Sequence, residues 1–154
     1  MRAATISALL PLLSFSVATP IVVPCTYRQA LSQGCINVKI TDDLILEADC
    51  KSTSNYPGDH PRKHASIDLN GCFANYKGTL NAAQPGGFGA SCSNCSLDDK
   101  YTLHCDCATG SGTQTMKTSY DLSYWRTVHV FYADGSDDPV MGCAGDAGID
   151  EYCY

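Results

Sequence analysis

No stretch of this sequence holds apolar residues at a 3.6-residue period for three turns, so long amphipathic helices are not expected. Basic residues are scarce: ten Lys and Arg stand against sixteen Asp and Glu, a formal net charge of −6. That balance gives no general attraction for phosphate backbones, and nucleic acid is not expected as a partner. Beyond the N-terminus, no segment approaches the roughly 20 apolar residues that membrane insertion needs. His60, His64, His104 and His129 have neither a nucleophile partner nor metalloprotease spacing. No carboxylate pair stands out in a hydrolase frame, so neither an enzyme nor a metal or cofactor site is expected.

What the chain does have is cysteine and a leader. Met1-Arg2 opens a short basic region, Ala3 to Val17 is largely apolar, and Ser16-Val17-Ala18 offers small residues for signal peptidase. Residues 1–18 therefore read as a secretory signal peptide, and the mature protein is expected to be extracellular. Ten cysteines on that route read as up to five disulfides.

Two cysteine-bounded stretches, Cys35–Cys50 and Cys92–Cys107, align without a gap. Asn37 matches Asn94, Asp42 matches Asp99, Leu46 matches Leu103, and Asp49 matches Asp106. Farther on, Ser66-Ile67-Asp68-Leu69-Asn70 matches Ser119-Tyr120-Asp121-Leu122-Ser123. Such self-similarity indicates two copies of one supersecondary unit. In the first copy, Val38–Ile40 and Leu44–Leu46 flank the turn composition Thr41-Asp42-Asp43, which reads as a hairpin. The hairpin brings Cys35 to Cys50, and the same logic brings Cys92 to Cys107. Cys95 and Cys105 replace Val38 and Ala48 together, which suggests a second rung in that hairpin. A zinc site built from Cys92, Cys95, Cys105 and Cys107 is disfavoured by the spacing and by the leader. Cys25, Cys72, Cys143 and Cys153 allow three pairings, of which Cys143–Cys153 would close a small local loop.

The segment Ala65–Leu80 has the form S-I-D-L-N-x-x-x-x-N-x-x-G-x-L and leads to Phe88-Gly-Ala-Ser-Cys92-Ser-Asn94. Together with the repeat and the matched cysteines, it resembles the cyanovirin-N homology family of small mannose-binding lectins. The resemblance runs from about Leu31 to about Gly135. It implies an all-β fold of two pseudo-symmetric tandem repeats, each a three-stranded antiparallel sheet plus a β-hairpin. The implied organisation is a leader (1–18), an N-terminal segment (19–30), the homology domain (31–135, repeats about 31–84 and 85–135), and a C-terminal extension (136–154).

The resemblance also implies two sugar sites and a mannose-type oligosaccharide as partner. The main site would be assembled from Ala74–Gly78, Gly86–Ser91 and Ala108–Gly112, with Asn75, Lys77, Ser91 and Thr109 at the sugar. Amides and hydroxyls suit this task, because a mannose ring presents vicinal hydroxyls that both donate and accept. Where the family prototype carries acidic groups, this chain has Ala74, Lys77 and Ala90. The second site would use Ala30–Gly34 and Lys51–Thr53, with Gln33 and Thr53 as polar candidates, and Asp134-Gly135 as the remnant of its turn.

Tyr124, Trp125, Phe131 and Tyr132 read as core rather than as a sugar-stacking face, and His60 and His64 as solvated. Asp134, Asp137 and Asp138 lack regular calcium-ligand spacing. Asn94-Cys95-Ser96 is a formal glycosylation sequon with its central Cys in the expected rung. The competing functional reading is a secreted, effector-like protein that uses the same scaffold to bind a protein partner, with sugar binding reduced or lost.

Overall fold

The computed structural model describes residues 28–52, 61–124, 127–132 and 136–143. In chain order these form β1 (Arg28–Ala30), the single-turn helix α1 (Leu31–Gly34), β2 (Cys35–Ile40), β3 (Ile45–Lys51), β4 (Arg62–Asp68), β5 (Phe73–Tyr76), β6 (Thr79–Ala82), β7 (Cys92–Leu97), β8 (Thr102–Ala108), β9 (Thr115–Asp121), β10 (Val128–Tyr132) and β11 (Pro139–Cys143). Short 3-10 turns cover Leu69–Gly71 and Phe88–Ala90.

Each unit supplies a three-stranded antiparallel sheet, in the orders β2-β3-β4 and β7-β8-β9. Both sheets carry the same irregularity. Pairing runs from Ile36↔Asp49 to Lys39↔Glu47, and from Ser93↔Asp106 to Ser96↔His104, so two residues face one. This β-bulge puts Asn37 and Asn94 in the left-handed region, at φ 55 and 52. Asparagine tolerates that conformation better than most residues. Each amide then donates across the bulge, Asn37 to Asp49 at 2.8 Å and Asn94 to Asp106 at 3.0 Å. Two of the sequence matches between the units are thus the donor and acceptor of one repeated bond.

Strand β4 stops one residue short of the alternation that the S-I-D-L-N segment suggests. The Asp68 carboxylate accepts from Asn70 N at 2.8 Å and caps the 3-10 turn, so Leu69 enters the core from a turn rather than a strand. Leu69 is fully buried and Ile67 packs against the core from its edge. The centre is filled by Leu31, Leu46, Phe73, Phe88, Leu103 and Leu122, with Phe73 edge-on to both Phe88 and Tyr120.

The hairpins cross over. Hairpin β5–β6 of the first unit lies against β9 of the second, where Leu80 N donates to Thr118 Oγ1 at 3.1 Å. Strand β11 of the second unit lies against β4 of the first, and Lys63 pairs with Asp138. The second unit's hairpin is itself widened to the three-stranded sheet β1-β10-β11. That sheet draws in Arg28–Ala30 and Pro139–Cys143, on either side of 31–135.

Among the described residues there are four disulfides. Cys35–Cys50 and Cys92–Cys107 close their hairpins between directly opposed residues, and Cys95–Cys105 adds the second rung. The local loop Cys143–Cys153 does not form: Cys143 is bonded to Cys72. The reason is the crossover, which brings the end of β11 to the start of β5, with Cα atoms 5.7 Å apart. Cys25 and Cys153 lie outside the described residues.

The aromatic segment divides. Tyr132 is buried, Phe131 is half-buried, Tyr124 is 54% exposed, and Trp125 lies outside the described residues. Only part of that group is core. His64 and His104 are exposed, whereas His129 is buried in β10, and His60 lies outside the described residues.

Candidate functional site

The segments expected at the main site meet at the end of β8. Opposed pairing of Cys92 and Cys107 places Ser91 beside Ala108, and Ala108 N donates to Ser91 O at 2.8 Å. Ser91 is held from behind by the crossing segment. There Gly86 N and Gly87 N donate to the carbonyls of Gly71 and Asn70, and the Asn70 side chain accepts from Gly89 N at 2.8 Å. Gly86 is required, since a Cβ would lie 2.3 Å from Asn70 O and 2.5 Å from Phe73 O.

Asn75 ties in the third segment. Its Nδ2 donates to Ala108 O at 2.8 Å and to Ser91 Oγ at 3.0 Å, and its Oδ1 accepts from Gly78 N at 2.8 Å. The three segments expected at the main site therefore meet around one amide. That amide, expected from its sequence position to bond a sugar, is not free to donate to one. Both N–H groups are committed to protein, leaving one acceptor lone pair on Oδ1. Asn75 is the clasp of the groove more than its recognition group.

The other polar groups are more available. Ser91 is exposed, and its Oγ donates only weakly, to Phe88 O at 3.4 Å. Thr109 is half-buried at the mouth of a loop closed by Thr109 N to Gln114 O at 3.0 Å. Its hydroxyl makes two long contacts, to Gln114 O at 3.3 Å and from Ser111 N at 3.4 Å. Lys77 is exposed at the tip of the β5–β6 turn with φ 54, followed by Gly78 with φ 94. Two consecutive positive φ values define a type I′ turn, for which Asn or Asp followed by Gly is preferred. Gly78 also allows close docking: a Cβ there would lie 3.0 Å from Met116 Cε and 3.2 Å from Thr109 Cγ2.

Met116 was not singled out by sequence. It is 44% exposed and lies beside the turn at Gly78. Its signal was a large apolar residue at the first unit's Lys63 position, opposite a buried cysteine.

The pseudo-equivalent end of the first sheet is built differently. The Tyr132 hydroxyl donates to Lys51 O, the carbonyl that follows Cys50 as Ala108 follows Cys107. A phenol thus occupies the role that Asn75 has in the other half. Ser52, in the place of Thr109, is buried and its Oγ donates to Asp137 O at 2.9 Å. Gln33 is exposed on α1, while Thr53 and Asp134-Gly135 lie outside the described residues. The described parts of the second site's two segments meet, since Cys35 opposite Cys50 sets Gly34 beside Lys51 and Arg62 Nη1 donates to Gly34 O at 3.0 Å.

On the outer face of each sheet the bulge leaves a shallow cleft. One, of about 290 Å³, is lined by Asn37, Lys39, Glu47, Asp49 and His64; its counterpart, of about 400 Å³, by Asn94, Ser96, His104, Asp106 and Lys117. Near the second, Asp98 accepts from Thr102 N at 2.8 Å and Lys100 N at 2.9 Å, with His104 Nε2 3.1 Å from its other oxygen. These bonds, the one from Thr102 most of all and the His104 contact next, hold the Asp98 carboxyl at about 2 against an ordinary 3.8.

No curated protein sequence is significantly similar to the chain. Among solved structures, the CVNH of Gibberella zeae is 20% identical, covering 75% of this chain and 97% of that one with a TM-score of 0.56. The microvirin:mannobiose complex is 21% identical over 71% and 97% of the two chains, with a TM-score of 0.54. A MoCVNH3 variant in complex with (N-GlcNAc)4 is 14% identical over 73% and 95%, with a TM-score of 0.56. Residues 31–125 match the CVNH domain. With most of its length matched and the same two-unit fold, the chain belongs to the CVNH domain family.

Proposed function

We propose that this protein is a secreted, non-catalytic lectin that binds mannose-type oligosaccharides through one groove, formed by Ala74–Gly78, Gly86–Ser91 and Ala108–Gly112. The observation that carries this reading is the convergence of three distant segments on Asn75, which brings Ser91, Thr109 and the Lys77-Gly78 turn close together. Such an arrangement matches what a sugar ring demands: a few polar groups fixed by a rigid scaffold. The family supports carbohydrate as the ligand, and two structural neighbours are described as saccharide complexes. Secretion rests on the leader at residues 1–18 and on the disulfides, which persist in oxidising compartments.

Binding through one groove is favoured by the loss of the asparagine arrangement at the other end, where Tyr132 and a buried Ser52 stand. A glycan array probed with the purified mature chain, followed by titration calorimetry with the strongest ligand, tests the proposal. Expected is selective binding of mannose-terminated oligosaccharides with about one site per chain. Failure to bind any glycan would put the protein-partner reading in its place.

A further inference from the structure

The sequence contains one N-x-Ser/Thr triplet, Asn94-Cys95-Ser96. The fold places it at the bulge of β7, where Asn94 and Ser96 are both exposed. Asn94 stands on the rim between two hollows. One is the outer-face cleft of about 400 Å³ that it lines with Lys117 and Thr118. The other is a groove of about 300 Å³ between the units, lined by Asn94 together with Thr41, Asp42, Leu44, Gly89 and Ser93. A bulky hydrophilic group attached there would meet open space on both sides and no core.

We propose that Asn94 is an N-glycosylation site, an inference that rests on the secretory reading above. In the reaction, the Asn94 amide nitrogen attacks C1 of the first sugar of a lipid-linked oligosaccharide. The N–C1 bond forms, the C1–O bond to the lipid diphosphate breaks, and one amide proton is lost. One N–H remains on Nδ2, enough to keep the bond to Asp106 that spans the bulge at 3.0 Å. The Cys92–Cys107 and Cys95–Cys105 bridges flank the acceptor. The groove residues Asp42 and Ser93 supply polar partners for the first sugar. Asn94 itself lies outside the three segments around Asn75, and the hollow beside it shares Gly89 with the Gly86–Ser91 segment.

The first unit is a built-in control. Asn37 has the same backbone, the same carboxylate partner and an equivalent cleft, but Lys39 stands where Ser96 supplies the hydroxyl. The test is expression of the full chain in a eukaryotic secretory host, with mass mapping before and after peptide N-glycosidase. Expected are a glycan on the Asn94 peptide, its conversion to aspartate by the enzyme, and its complete loss in Ser96→Ala. That variant leaves the left-handed Asn94 in place and so avoids a folding defect. Lys39→Ser should gain a second glycan at Asn37. Chain recovered from the medium with Asn94 unmodified overturns the site. Chain that never reaches the medium, with residues 1–18 still attached, overturns the secretory reading and the glycan with it. Retained glycan binding by Ser96→Ala would confirm that the groove is independent.

Discussion

Asn75 and Tyr132 make the same contact in the two halves of the molecule, each donating to the carbonyl of the residue that follows a hairpin's closing cysteine, Ala108 and Lys51. The consequences of removing them differ. Asn75→Ala strands the Ala108 carbonyl and the Gly78 N–H together, a loss of about 1–3 kcal/mol of stability, and loosens the groove. It should lower both the melting temperature and the affinity for mannose-type glycans. Tyr132→Phe should cost about 1 kcal/mol and leave glycan affinity unchanged. Thermal melts and calorimetry on both variants separate the roles. A Tyr132→Phe protein with reduced affinity would mean that the first unit's end takes part in binding.

Thr109→Ala removes a hydroxyl that makes only long contacts. Stability should stay within about 0.5 kcal/mol of the parent, as for surface changes generally. Affinity should fall by roughly tenfold, the worth of one hydrogen bond of about 1.4 kcal/mol. Unaltered binding by this folded variant would place the sugar somewhere else.

Lys77 sits at a left-handed position ahead of Gly78. Lys77→Asn should raise the melting temperature slightly, since type I′ turns prefer that residue. Lys77→Asp should do the same and also tighten mannose binding, because a carboxylate accepts strongly from sugar hydroxyls. A gain in stability without a gain in affinity for Lys77→Asp would show that the turn does not touch the ligand.

The Cys72–Cys143 bridge joins the two units across their crossover. Replacing both residues by serine should cost about 2–5 kcal/mol, the usual loss for a native bridge in a small domain. Non-reducing peptide mapping should recover Cys72 with Cys143, and any other partner for either would contradict the crossover.

Asp98 is held near 2 while its unfolded value is near 3.8. The folded state therefore binds fewer protons, and the stabilisation is complete above about pH 4. It is lost as pH falls through about 2. In Asp98→Asn that component should disappear, making the melting temperature less steep in pH between 4 and 2. Parallel curves for the two proteins would rule the contribution out.

Much of this architecture was legible because the repeat records itself in paired residues. Asn37 with Asp49 and Asn94 with Asp106 were visible as matches, though their cause, a bulge with a left-handed residue, was not. The paired change to Cys95 and Cys105 exposed the second rung. The Cys72–Cys143 bond was not legible, because it depends on where the two hairpins dock and no local spacing encodes docking. The role of Asn75 was half legible: its position was clear, but the commitment of both its donors to Ser91 and Ala108 is a three-dimensional fact. Tyr132 was hidden for a similar reason. Its equivalence to Asn75 appears only when both are seen to reach corresponding carbonyls, since the residues before it have diverged.

The bond between Cys72 and Cys143 encloses the whole second unit within a covalent ring. A protease that cuts once anywhere between those residues opens the ring but releases nothing. The two new ends stay tethered through the bridge, and the strands on either side of the cut keep their neighbours. A single clipped loop between Cys72 and Cys143 therefore leaves the mass of the molecule unchanged.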